Sequence, residues 1–329
     1  MSSTKLITSR RGLLTGAAVA ATALATPLIM TRAAFGKAPM LGATDPTHHR
    51  FKLGAFEITV INDGQAVREG PHPLFGANQP ASDVADLMSA NNLSSKQVAL
   101  PFTPVLVNTG AELVLFDTGN GAGARAGGRG KLRAAMATAG YTPEQVDVVV
   151  ITHMHPDHIG GMKEGDAAAF PNARYVIGET EYNFWTDTAR ATGPTEGLHK
   201  MAMGLVAPFA DKATFIKDEG TVVSGITGVA THGHTPGHMG FLIESDGKQL
   251  MITGDIANHF VIAFQKPDWG FGFDADKAKA AETRRAVLGR LASERMPFVG
   301  YHMPFPALGY VEPMGGAFRY VAESYQFDL

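Results

Sequence analysis

Apolar residues along this chain fall mostly in short alternating or continuous runs bounded by glycine, proline, asparagine and aspartate, the pattern of short strands joined by tight turns. Phe56-Glu57-Ile58-Thr59-Val60-Ile61 alternates and then meets Asn62-Asp63-Gly64, which predicts a strand ending in a turn. Pro104 to Val107 and Ala111 to Phe116 flank Asn108-Thr109-Gly110 and predict a hairpin. Val146 to Ile151 reads as a buried strand, and further strands are predicted near Arg174 to Ile177, Gly228 to Thr231, Phe241 to Glu244, Gln249 to Thr253 and Pro297 to Tyr301. Helical spacing appears at Lys131 to Ala139, stopped by Gly140, and at Glu179 to Thr188, Glu196 to Pro208 and Asp276 to Glu294. In the last of these Ala278, Ala281, Arg285, Leu288 and Leu291 recur at helical intervals. Strands interleaved with helices predict a mixed α/β layer fold in one domain, residues 51–329. Between them, Gly119 to Gly130 is glycine-rich and must be a loop, either mobile or closely packed against something.

Ahead of this domain the pattern changes. Ser9-Arg10-Arg11-Gly12-Leu13-Leu14 followed by an Ala/Thr/Leu-rich stretch to Met30 reads as a twin-arginine signal peptide over residues 1–34. An uncleaved membrane anchor over Leu13 to Met30 is the alternative, diluted by small residues and threonine. Residues 35–50 are aperiodic and read as an N-terminal arm. The expected location is periplasmic or secreted, with no stable membrane association once the leader is cleaved. The 329 residues carry a formal charge of −3, and the leader has basic side chains at Lys5, Arg10, Arg11 and Arg32 and no acidic one, so the mature chain is more acidic still. That balance argues against nucleic acid as a partner and leaves a small-molecule substrate. Cysteine is absent, so neither a disulfide framework nor a thiolate ligand is available, and any metal site must be built from histidine and carboxylate.

Such a site is what the motifs suggest. Val148-Val149-Val150-Ile151-Thr152-His153-Met154-His155-Pro156-Asp157-His158 is a strand that runs into three imidazoles and a carboxylate. His153 and His155, two apart on extended backbone, point the same way, while Asp157 and His158 turn toward a neighbouring position. Three more strand ends carry ligand-type residues: Thr231-His232-Gly233-His234, Thr253-Gly254-Asp255 and Gly300-Tyr301-His302. Any one of these histidines alone reads best as an ordinary surface or core residue, but the set does not. His48, His49, His72, His199, His232, His238 and His259 are taken as non-ligands, with His238 and His259 the candidates for a supporting or substrate-facing role.

With these residues in view, the chain resembles the metallo-β-lactamase superfamily, whose His-x-His-x-Asp-His motif is matched by His153, His155, Asp157 and His158. The resemblance implies an αββα sandwich and two divalent metal ions, zinc by donor preference. It assigns His153, His155 and His234 to one ion and Asp157, His158 and His302 to the other, with Asp255 bridging and Asp117 in support. Asp255 and Asp157 are thereby expected to take part in catalysis. Within the superfamily the chain looks most like the methyl parathion hydrolase group, through Leu106-Val107-Asn108-Thr109-Gly110, Gly140-Tyr141-Thr142-Pro143-Glu144-Gln145-Val146-Asp147 and His232-Gly233-His234-Thr235-Pro236-Gly237-His238. That group suggests a homodimer, and it places Trp185 in a leaving-group pocket. The segment after Asp255 is expected to add His259, Phe260 and Phe264 to the pocket wall. The glycine-rich run and Gly197-Leu198-His199-Lys200 lack aromatics expected to complete that pocket. The activity implied is metal-dependent hydrolysis of lactone, ester or phosphotriester bonds. The alternatives are a dedicated organophosphate hydrolase, a nuclease and a non-enzymatic zinc binder.

Overall fold

The computed structural model describes residues 38–324. The expected leader lies outside them, and the chain divides at Pro46: the described residues before it contain no helix or strand. Among the described residues no helix is long and apolar enough to cross a membrane.

Among the described residues eighteen strands follow Pro46. One seven-stranded sheet runs in the order β1 (His48–Leu53), β2 (Phe56–Ile61), β5 (Val105–Asn108), β6 (Leu113–Phe116), β7 (Val148–Ile151), β10 (Arg174–Gly178) and β11 (Ala213–Ile216). A second has the order β12 (Thr221–Val223), β13 (Ile226–Ala230), β14 (Met239–Ser245), β15 (Lys248–Gly254), β16 (Phe298–Gly300), β17 (Leu308–Met314) and β18 (Ala317–Ala322). The remaining four strands form two ribbons, β3 (Gln65–Glu69) with β4 (Gln97–Pro101) and β8 (Lys163–Glu164) with β9 (Ala167–Ala168).

Strand alternation explains how the layers stack. Val114, Phe116, Val148, Val150 and Val176 face the second sheet and join Phe241, Ile243, Leu250 and Ile252 in one core. Phe116 and Phe241 meet there with ring centroids 5.2 Å apart. Their neighbours Leu113, Leu115, Val149, Ile151, Tyr175 and Ile177 face the other way, where Leu132, Met136, Trp185, Ala202 and Val206 cover them. A strand apolar on every residue is therefore one buried on both faces, as β7 is. The helix Lys277–Glu294 covers the second sheet, and the order of layers is αββα.

Several expectations need correction. The helix expected from Glu196 to Pro208 is regular only over Glu196–Met201, then loosens into a single π turn at Ala202–Val206 and a 3-10 stretch at Ala207–Lys212. Gly204 and Pro208 account for this, one by its weak helical preference and the other by lacking an amide donor. In Lys277–Glu294 the buried positions are Ala280, Arg284, Val287, Leu288 and Leu291, so Arg284 and not Arg285 sits in the apolar stripe. The β3–β4 ribbon, the helix Ala81–Ala90 and the β17–β18 hairpin had no clear periodic trace in the sequence.

The glycine-rich segment is packed, not mobile. A Cβ on Gly121 would lie 2.0 Å from the Gly160 carbonyl oxygen, and one on Gly130 2.0 Å from that of Gly121. Asp63, just past the end of β2, ties both ends of the segment: its carboxylate accepts from the Asn120 amide at 2.8 Å, the Asn120 side chain at 2.9 Å and the Leu132 amide at 2.7 Å.

Candidate metal centre

Four strand ends converge on one edge of the sandwich. β15 and β16 run parallel, and Gly254 pairs with Gly300, so Asp255 and His302 emerge side by side. β7 delivers His153 from the other sheet, and the Met239 amide donates to the Thr152 carbonyl at 3.0 Å, which joins β7 to β14 beside the loop carrying His234. A short helix Pro156–Ile159 then places Asp157 and His158. The ligand atoms form two groups, each within 4.8 Å: His153, His155, His234 and Asp255, and Asp157, His158 and His302.

Asp255 lies between them. Its Oδ2 is 3.8 Å from His153 Nε2, 3.3 Å from His234 Nε2 and 3.0 Å from His302 Nε2, while Oδ1 is 3.3 Å from His158 Nε2. Ligands about 2.1 Å from a tetrahedral ion sit roughly 3.4 Å from one another, so these separations suit shared coordination.

The hydrogen bonds behind the imidazoles settle which nitrogen is free. His158 Nδ1 donates to Asp117 Oδ2 at 2.7 Å, His234 Nδ1 to Asp274 Oδ1 at 3.0 Å and His302 Nδ1 to the Pro101 carbonyl at 2.8 Å. With these protons on Nδ1, neutral rings turn their Nε2 lone pairs toward the Asp255 carboxylate. Lone pairs opposed at such distances repel unless positive charge lies between them. Consistent with this, His153 Nε2, His158 Nε2 and Asp255 Oδ1 are buried without a hydrogen-bond partner. The donor set therefore fits two cations, and imidazole with carboxylate suits zinc.

Electrostatics treat the rings differently: His153 favours the neutral form that ligates, whereas the carboxylates around His158 draw a proton onto it. Burial, with the nearby His158 ring, holds His153 well below the ordinary histidine range and keeps it neutral, the form that ligates. Burial also acts to lower His158, but Asp255, Asp117 and Asp157 outweigh it and hold that ring well above its ordinary value. Burial acts to raise Asp255, and His302 and His158 outweigh that and keep it ionised.

Supporting residues reach further than the sequence suggested. Asp117 is held at a positive φ of 60° and also accepts from the Thr152 amide and hydroxyl, both at 2.8 Å. Asp274 passes the chain of contacts on: its second oxygen accepts from Arg284 at 2.9 Å, and Arg284, fully buried, donates to the carbonyls of Ile256 and Pro267. Glu181 joins the two motif loops, accepting from the Met154 amide and the Trp185 indole at 2.8 Å, the Thr235 hydroxyl at 2.7 Å and the Gly237 amide at 3.0 Å. His238 stands behind the bridge, its Nε2 accepting from the Asp255 amide at 2.9 Å. Sequence reading missed Asp274, Arg284 and Glu181; an arginine in the apolar stripe of a helix was the one usable trace.

A cavity of about 430 Å³ opens beside His155, Asp157, Asp255 and His302. Its apolar wall is Leu100, Phe102, Leu198 and Phe273, and Arg68, Asn120 and Arg129 also border it. This corrects the expected wall. Trp185 is buried in the outer core, 6.3 Å from the His155 ring and committed to Glu181. Phe264 packs against Phe298 and Tyr320 in the core. His259 turns Nδ1 to the Val261 and Ile262 amides and stacks on Phe260. The segment after Asp255 is thus structural, and the aromatics missing from the glycine-rich run and from residues 197–200 are supplied by Phe102 and Phe273.

An αββα sandwich with two groups of imidazole and carboxylate donors at its strand ends defines a binuclear metal-site protein. The chain belongs to the metallo-beta-lactamase superfamily, whose family model matches residues 103–296. That match includes His153 to Asp255 and stops short of His302. The N-acyl homoserine lactonase AttM of Agrobacterium fabrum is 32% identical over 123 residues, which are 36% of this chain and 44% of that protein. The chain spans about half the length of the curated relatives it matches. Among solved structures, AidC, a dizinc quorum-quenching lactonase in complex with a product, is 27% identical with a TM-score of 0.77, covering 85% of this chain and 99% of that one. AbOPH, a hydrolase of the beta lactamase superfamily, is 28% identical with a TM-score of 0.79, covering 86% and 99%.

Proposed function

We propose that the chain is a dizinc hydrolase that opens lactones and cleaves related esters of small, largely apolar substrates. The observation that carries this reading is the set of buried, unpartnered donor atoms on His153, His158 and Asp255 beside an open cavity lined by the ligand candidates His155, Asp157, Asp255 and His302. A storage site would be closed by its ligands; here a substrate-sized space reaches them. The lactonases AttM and AidC among the similar proteins support lactone as the substrate class.

Two divalent ions held by His153, His155 and His234 and by Asp157, His158 and His302 would polarise a carbonyl oxygen and lower the pKa of water from about 15.7 toward 7. Asp255 fixes the spacing of the two groups through its two oxygens. Asp117, Asp274 and the Pro101 carbonyl keep the Nδ1 protons in place, so each Nε2 remains a lone-pair donor. Asp157, half-buried at the cavity, is placed to take a proton from the attacking water and return it to the departing alcohol oxygen. Leu100, Phe102 and Phe273 exclude water around the acyl part.

The narrower reading, a methyl parathion hydrolase-like enzyme with aryl phosphotriester turnover, rests on the sequence strings alone and takes second place. A panel of N-hexanoyl homoserine lactone, an aryl acetate and an aryl phosphotriester, run on zinc-loaded and chelator-stripped protein, separates the two. Lactone opening that vanishes on stripping and returns with zinc supports the reading; hydrolysis indifferent to metal, or confined to the phosphotriester, overturns it. We also infer export through the twin-arginine leader, supported by Arg10-Arg11 and the Ala-rich run after them. N-terminal sequencing of the periplasmic protein tests it, and an intact Met1 there would refute cleavage.

A further inference from the structure

The cavity carries two positive charges that lactone hydrolysis does not use. Arg68 lies on β3, where strand alternation puts it on the same face as Ala66, and Ala66 and its β4 partner Leu100 both border the cavity. Arg129 is the last side chain of the glycine-rich loop before Gly130, and Asp63 anchors that loop at Asn120 and Leu132. The loop is held close to the β2 end: a Cβ on Gly64 would lie 3.0 Å from the Arg129 Cα. Arg129 is half-buried and Arg68 exposed, and both border the space that reaches Asp157, Asp255 and His302.

Among the described residues neither guanidinium has a hydrogen bond or an ion pair. Its neighbour Arg125 behaves as a surface arginine does, closed by a bidentate pair with Glu164 at 2.7 Å. The two cavity carboxylates, Asp157 and Asp255, are committed to the ligand groups. A half-buried guanidinium loses hydration without compensation unless an anion meets it, and its planar fork matches a carboxylate. A neutral acyl lactone offers no such group.

Resting on the hydrolase reading above, we propose that the preferred substrates are lactones or esters bearing a second, permanent carboxylate remote from the scissile bond. Arg68 and Arg129 bind that carboxylate, while Leu100, Phe102 and Phe273 line the apolar stretch between the two ends.

The test compares 4-acetoxybenzoate with its neutral isostere 4-acetoxybenzamide on the zinc-loaded enzyme at low salt, each rate referred to hydrolysis by hydroxide in solution. Calorimetric titration with the inert pair 4-acetamidobenzoate and 4-acetamidobenzamide gives a binding readout independent of turnover. We expect the anion to be favoured about tenfold or more in kcat/KM and in affinity, the scale of one charge-assisted hydrogen bond, with the preference shrinking as salt rises. In the double variant Arg68→Gln/Arg129→Gln the ratio falls to about one. No preference in the wild type, or a preference that survives in the double variant because the ions themselves hold the carboxylate, overturns the proposal. If neither these esters nor N-hexanoyl homoserine lactone is hydrolysed, the hydrolase reading fails and the titration alone decides the subsite. If the neutral lactone is opened and no anion preference appears, the hydrolase reading stands and the subsite fails.

Discussion

At the scale of single residues, the ligands were legible and their supports were not. His153, His155, Asp157 and His158 share one short string, so their type and spacing announce a metal site whatever surrounds them. Glu181 is separated from the loops it clamps by helix and strand, and no local pattern marks it. Its carboxylate accepts from four donors, two of them backbone amides in the loops that carry His155 and His234. Glu181→Gln keeps the shape but turns one acceptor into a donor facing other donors. The expected cost is about 1–3 kcal/mol of stability, and misaligned His155 and His234 should lower zinc affinity by about 10–100-fold. Thermal melts and competition with a zinc chelator measure the two effects separately. A variant that melts lower yet holds zinc as tightly as the wild type would show that Glu181 braces the fold without positioning ligands.

At the scale of elements, buried strands were read well and conditional ones poorly. β6, β7 and β15 are apolar on successive residues because both faces are covered, and that signature is local. β3 reads as polar because four of its five residues face solvent, and only its pairing with β4 makes it a strand. The glycine-rich segment admitted two readings, mobile or packed, and composition cannot choose between them. Its packing yields a paired prediction. Gly121→Ala would drive a Cβ into the Gly160 carbonyl at a positive φ of 71°, at a cost of about 3 kcal/mol or more. Gly123, in the same segment, has no neighbour within 4 Å and ordinary φ, so Gly123→Ala should be neutral or stabilising by up to about 1 kcal/mol. Chemical denaturation of both variants decides it; equal effects would mean the segment is loose in solution.

At the scale of the whole molecule, the metal centre is a fastener between the two sheets. His153 and His158 leave the first sheet through β7, whereas His234, Asp255 and His302 follow β13, β15 and β16 of the second. The sequence suggested that these ends converge but could not show that they come from opposite sheets, because that depends on pairings between strands far apart in the chain. The stability consequence follows from the lone-pair geometry. Imidazole nitrogens and Asp255 oxygens face one another at 3.0–3.8 Å, an arrangement that cations stabilise and that protonation of His158 relieves only in part. Ions that bind the folded state alone add about 4 kcal/mol at a free concentration 1,000 times Kd. For a domain of this size that corresponds to a melting shift on the order of 10 °C. Removing the ions should therefore lower the melting temperature by that amount, with zinc restoring it. Hydrogen exchange should localise the loss: amides at residues 153–161, 232–238 and 255–259 should lose protection first, while the β1–β2 hairpin, separated from β7 by β5 and β6 in the sheet order, keeps its own. Unchanged melting with the metal fully removed would mean that the two sheets hold together through the Phe116 and Phe241 core alone, and that the ions contribute chemistry without contributing stability.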